Sequence, residues 1–107
     1  MRAGKLRRRA SLQRKEVVQD AFGAEIASWA EFAAVWASVE SLTGREFLAA
    51  LGQGDQGEIT TRIKMRYRDD VRTADRVVVG RRVFDVRSVL PDERERELVV
   101  MGRELVE

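Results

Sequence analysis

The clearest pattern along the chain has a period of two. In residues 58–67, "EITTRIKMRY", Ile59, Thr61, Ile63, Met65 and Tyr67 fall on one face, and Thr60, Arg62, Lys64 and Arg66 fall on the other. Such alternation predicts a half-buried antiparallel strand. Residues 75–90, "DRVVVGRRVFDVRSVL", set two β-branched runs on either side of Gly80 and Arg81, which predicts a hairpin. "PDER" at 91–94 predicts a turn entered through Pro91. "ERELVVMGRELV" then reads as a last strand pairing back on the one before it. Upstream, "ASLQRKEV" around 10–17 predicts a first strand, and "DAFG" at 20–23 a turn with Gly23 in a left-handed conformation. The stretch "EIASWAEFAAVWASVESL" is ambiguous because of its alanines. Alternation through Trp36, Ala37, Ser38, Val39 and Glu40 favours two short extended segments there.

One segment breaks the strand pattern. "TGREFLAALG", residues 43–52, predicts a short helix. Thr43 can cap it, and Glu46 can reach back to close a capping box. Phe47, Leu48 and Leu51 form its apolar stripe, and Gly52 ends it. The glycines that follow, Gly52, Gly54 and Gly57, have the spacing of a dinucleotide-binding fingerprint, with Asp75 downstream as the matching acid. The context contradicts that reading. Such glycines follow a strand and precede a helix, whose N-terminus they aim at a pyrophosphate. Here they follow a helix C-terminus, its negative end, and precede a strand.

Composition narrows the function more than it narrows the fold. The 107 residues suggest a single domain with a small core, burying roughly 65% of the unfolded surface. Charged residues make up 36%, yet the net charge is only +2. The first fifteen residues are the exception, with seven basic groups (Arg2, Lys5, Arg7, Arg8, Arg9, Arg14, Lys15) and no acid. This is either a solvated terminus or, over residues 1–9, a basic arm for an acidic partner or DNA. There is no cysteine and no histidine, which excludes disulfides, thiolate chemistry and the usual transition-metal ligands. No apolar run matches a membrane span, and no apolar stretch follows the arginines as in a secretory signal. A soluble intracellular product without membrane contact is expected.

Little in the chain points to catalysis. Asp69–Asp70 and Asp92–Glu93 are adjacent carboxylate pairs at expected turns, with no base, nucleophile or phosphate cradle beside them. No catalytic residue, metal site or cofactor is therefore expected, and a carboxylate hydrolase built on Asp69 or Asp70 has little support. The basic row Arg62, Lys64 and Arg66, which Arg68 can continue, has two readings. One is an ordinary solvated sheet face; the other is a wall facing DNA phosphates. Aromatic residues do not interleave this row, so a single-strand stacking platform is not indicated. Trp29, Trp36, Tyr67 and Phe84 are expected in the core. The loop Gly52, Gln53, Gly54, Asp55, Gln56 and Gly57 is either a plain connection or a mobile element able to span roughly 20 Å.

Taken together, "LRRRASLQR", "DAFGAEIASW", "VWASVESLTGREFLAA", "TRIKMRYR" and "RVFDVRSVLPDERERELVV" resemble the head-closure proteins of long-tailed bacteriophages. These are also called head–tail joining or stopper proteins. Their order and spacing match along nearly the whole chain. The resemblance implies a mainly β fold: a small antiparallel β-barrel with one short α-helix and long loops, as a single domain over 1–107. It also implies a homo-oligomeric ring in a virion or gene-transfer particle, assembled in the bacterial cytoplasm. The ring would sit between a portal adaptor and tail terminator or tail tube proteins. It would hold double-stranded DNA in the channel and offer the tail a platform. By analogy the plug falls on residues 52–57 and the adjoining helix, the whole segment being 43–57.

Rings need two different patches that meet head to tail. The candidates are Arg7, Arg8 and Arg9 of the arm, Arg45, Glu46 and Phe47 of the helix, and the acid-rich hairpin of Asp92, Glu93, Glu95 and Glu97. The alternative function is a stand-alone nucleic-acid-binding module on a small β-barrel.

Overall fold

The computed structural model describes residues 7–42, 59–92 and 94–105. Among the described residues there are six strands: β1 (Arg8–Gln19), β2 (Glu25–Ser41), β3 (Thr61–Arg66), β4 (Arg76–Val79), β5 (Arg82–Pro91) and β6 (Glu97–Leu105). All pair antiparallel, in the order β1-β2-β3-β6-β5-β4. β4 returns to β1 through Ser11–Val78, Leu12–Val77 and Gln13–Arg76, so the sheet closes into a barrel. Closure leaves no open edge over the paired stretch. The described residues contain no helix. The helix expected at 43–52, with Arg45, Glu46 and Phe47, lies outside the described residues, as does the loop Gly52–Gly57.

Alternation decides what lies inside. Thr61, Ile63 and Met65 of β3 are buried, while Arg62, Lys64 and Arg66 point outward. Phe84 on β5 is the largest fully buried side chain and packs with Leu12, Val77, Leu98 and Val100 across the barrel. Burying one such aromatic contributes roughly 1.5–3 kcal/mol. The hairpin between β4 and β5 turns at Gly80, whose φ is +60°, with Val79 opposite Arg82. A positive φ at the first turn residue matches a type II′ hairpin.

Three local expectations need correction. The alanine-rich segment is one strand of 17 residues rather than two short ones. It is continuous because β1 pairs along its length, and an extra residue is absorbed as a bulge: Leu12 faces Ala33 while Gln13 faces Glu31, leaving Phe32 over. Pro91 closes β5, opposite Leu98, and does not enter the turn. After it the Asp92 carboxylate accepts from the Arg96 backbone N–H at 2.7 Å. Arg8 and Arg9 belong to β1, paired with Ala37 and Trp36, and are not part of a loose arm.

The first hairpin outgrows the barrel. β1 pairs with β4 only at Ser11–Gln13, and β2 pairs with β3 only at Ala37–Ser41. Beyond these points, Arg14–Gln19 and the facing half of β2 pair only with each other and are mostly exposed. The result is a two-stranded ribbon projecting on the order of 20 Å at about 3.4 Å per residue. The chain measures 49 × 31 × 26 Å, an elongated outline consistent with that projection.

Candidate interaction surfaces

The base of the ribbon is fixed by a buried acid. Asp75 is 4% exposed and receives Arg14 in a two-pronged contact, Nε to Oδ1 at 3.0 Å and a terminal nitrogen to Oδ2 at 2.9 Å. The Arg72 backbone N–H donates to the same carboxylate at 2.9 Å. Arg14 also reaches the Asp70 carbonyl and lies 4.4 Å from the centre of the Phe32 ring, the residue at the bulge. The hydrogen bond to Asp75 foremost holds the Arg14 guanidinium charged. Beside it, Arg76 donates to Gln13 at 2.6 Å and covers Trp29 at 4.5 Å. These contacts tie the ribbon to β4, so its direction is set by the barrel. Asp75 was legible in the sequence only as the acid of a failed nucleotide motif; its real partner lies on a distant strand.

At the far end, Asp20 shapes the tip. Its carboxylate accepts from the N–H groups of Phe22 at 2.8 Å and Ala24 at 2.9 Å, and Gly23 adopts φ +81° as expected. Phe22 is thereby held outward and is 96% exposed. Val17, Val18 and Ile26 are exposed near it. Sequence reasoning missed this surface. The available signal was Val17-Val18, adjacent apolar residues on opposite faces, next to a turn that carries a phenylalanine.

The basic row divides in two. Glu40 on β2 stands opposite Arg62 and binds both Arg62, at 3.4 Å, and Lys64, at 3.7 Å. Arg68 is bridged to Asp70 at 2.9 and 2.7 Å, and this hydrogen bond is the main cause holding the Asp70 carboxyl below its ordinary range. Arg66 stays exposed and faces a different setting. With Arg9, Ala34, Val35, Trp36, Tyr67 and Arg68 it lines a cleft of about 260 Å³. Arg9 lies 5.1 Å from the Trp36 ring centre. Burial first, then Glu95 and Asp69, push the Tyr67 phenol up and keep it protonated.

The core expectation therefore holds for Phe84 but not for Trp36, which is 54% exposed, or for Trp29 on the ribbon. Ala37 takes the inward position on β2, and alternation turns its neighbour Trp36 outward. Tyr67 is half-buried against the core. Folding also brings aromatic rings to Arg66 that the linear row did not show.

The remaining candidates are dispersed. Arg7 is exposed just before β1. Glu95 sits in the turn before β6 with φ +54°, and Glu97 opens β6 opposite Arg66. Asp92 is engaged within its own turn, and the Arg96 N–H is the main cause lowering its pKa. Glu93 lies outside the described residues. Among the described residues, no group of three or more potential ligands is placed to hold a metal ion, and no helix is long and apolar enough to cross a membrane.

Three comparisons bear on this architecture. A protein of Shigella flexneri 2a, solved in solution, superposes with a TM-score of 0.78 at 29% identity, covering 100% of this chain and 99% of that one. A chain of the native gene transfer agent virion superposes with a TM-score of 0.61 at 23% identity, covering 95% and 97%, and so shares the fold. No curated protein matches the chain. The family model for phage head completion proteins matches residues 1–104, nearly the whole of this six-stranded chain with its projecting ribbon. The chain belongs to the family of phage head completion proteins.

Proposed function

We propose that this chain is a non-catalytic connector subunit of a phage or gene-transfer particle. Copies of it form a ring beneath the portal and its adaptor. The ring closes the DNA channel after packaging and presents a platform to the tail terminator or tail tube. The observation that carries this reading is the family match over residues 1–104. The likeness to a chain of a gene transfer agent virion supports it. The form of the molecule is also suited to assembly. A closed barrel supplies a stable body, and a braced ribbon supplies reach. Two acids of the adjacent carboxylate pairs are engaged within the fold: Asp70 binds Arg68, and Asp92 accepts from the Arg96 backbone N–H. The plug role stays with residues 52–57 and the segment 43–57, with Arg62, Lys64 and Arg66 as the candidates for facing DNA.

A stand-alone DNA-binding module has one observation in its favour, the cluster of Arg66 with Trp36 and Tyr67. Against it, Glu40 offsets the charge of Arg62 and Lys64. Electron microscopy of the portal vertex separates the two. A ring of this chain between adaptor and tail, with residues 52–57 toward the lumen, is the expected outcome. Absence from particles, together with tight salt-dependent DNA binding by the monomer, would overturn the connector reading.

A further inference from the structure

The ribbon tip is acidic and the cleft is lined by arginines, and the two lie far apart on one molecule. The tip presents Phe22 at 96% exposure on a turn fixed by Asp20. Residues 16–26, "EVVQDAFGAEI", carry Glu16, Asp20 and Glu25 and no basic residue. The cleft has an aromatic and aliphatic lining from Trp36, Tyr67 and Val35, with a rim of Arg9, Arg66 and Arg68. Arg68 is already bridged to Asp70, which leaves Arg9 and Arg66 as its exposed cations. Its volume, about 260 Å³, lies below the roughly 300–1,000 Å³ of small-molecule sites and suits an inserted side chain. Within this lining Arg9 lies over the Trp36 ring, 5.1 Å from its centre.

A molecule cannot fill its own cleft. Trp36 and the tip lie on the same extended strand, and Glu25 to Trp36 alone spans on the order of 35 Å. The occupant must come from outside. A second copy of this chain supplies both the aromatic knob and the acids that the cleft calls for.

We propose that neighbouring copies join head to tail, the ribbon tip of one inserting Phe22 against Trp36 and Tyr67 of the next. Glu16 and Glu25 of the tip then face Arg9 and Arg66 of the receiving copy. Knob and hole are different surfaces, so the contact is heterologous and propagates around a ring. This rests on the ring reading above and adds the residues that make the joint. A buried aromatic anchor of this kind is the usual energetic centre of an interface.

The absence of cysteine gives a direct test, since introduced thiols are the only ones present. Rings are prepared from chains carrying Ala21→Cys beside the knob together with Ala34→Cys in the cleft lining, treated with a short bismaleimide, and separated on a denaturing gel. A ladder of covalent multimers is expected. An equal mixture of the two single variants should give dimers, and Ala21→Cys alone should give none. Phe22→Asp should weaken assembly roughly tenfold or more with an unchanged melting temperature, because its side chain supports nothing in the monomer. Rings that form without a ladder, or dimers from Ala21→Cys alone, overturn the proposed joint and leave the ring reading standing. A chain that forms no ring in particles or in solution overturns the ring reading and the joint with it. Trp36→Ala that abolishes DNA binding but not assembly reassigns the cleft to nucleic acid and also overturns the joint.

Discussion

Asp75 is the residue on which the monomer's geometry most depends. Its carboxylate is almost wholly removed from water and is satisfied by Arg14 and by the Arg72 N–H. Removing its charge leaves Arg14 without its partner at a half-buried site. Asp75→Asn should therefore lower unfolding free energy by about 2–3 kcal/mol, read from urea denaturation. A double-mutant cycle with Arg14→Ala should show coupling well above the roughly 0.5 kcal/mol expected of independent sites. An effect within about 0.5 kcal/mol of wild type would mean that the clamp orients nothing. The surface ion pairs of Glu40 are different in kind. They are solvated, and each contributes at most about 1 kcal/mol.

Among the elements, β5 and β6 show how closely the barrel is built. The register of β5 shifts between Val86 and Ser88, a bulge that brings its backbone toward β6. A Cβ at Gly102 would meet the Asp85 carbonyl oxygen at 3.1 Å and the Phe84 Cβ at 3.5 Å. Any side chain there is crowded by close approach rather than by an unusual dihedral. Gly102→Val should cost about 1–3 kcal/mol through overpacking against the Asp85 backbone and the Phe84 side chain, and Gly102→Ala distinctly less. Unfolding midpoints of the two variants give the comparison. On β2 the opposite freedom is at work. The bulge at Phe32 lets one strand serve two purposes, closing the barrel at Ala37–Ser41 and forming the ribbon before it.

For the molecule as a whole, acid is the expected route to loss of structure. Asp70, Asp92 and Glu104 all have pKa values below their ordinary range, chiefly through hydrogen bonds from Arg68, the Arg96 backbone and Arg82 respectively. A carboxyl depressed in the folded state binds protons more weakly there than when unfolded. Its stabilisation is complete above the unfolded pKa of about 4 and is lost as pH falls through the folded value. The urea midpoint should hold between about pH 6 and pH 8, where no side chain of ordinary pKa titrates in a chain without histidine, and should fall steadily below about pH 4. A midpoint unchanged at about pH 3 would show that these carboxylates are equally well placed in the unfolded chain.

The strands, their alternation and the Gly80 hairpin were legible because each depends on near neighbours in sequence. Side chains two apart share a face, and a left-handed turn residue selects glycine. The same local logic argued against a nucleotide site at Gly52–Gly57, on the strength of an expected helix that lies outside the described residues. It left β2 ambiguous, because alanine fits helix and strand alike and only pairing with β1 decides between them. Which aromatic residues face out, the pairing of Arg14 with Asp75, and the cleft where Arg9 meets Arg66 all join residues far apart in sequence. The sequence by itself determined a mainly β head completion protein without thiol or imidazole chemistry. Only the tertiary structure decided that its first hairpin leaves the barrel as a braced, aromatic-tipped ribbon, because strand closure, not local propensity, sets where pairing stops.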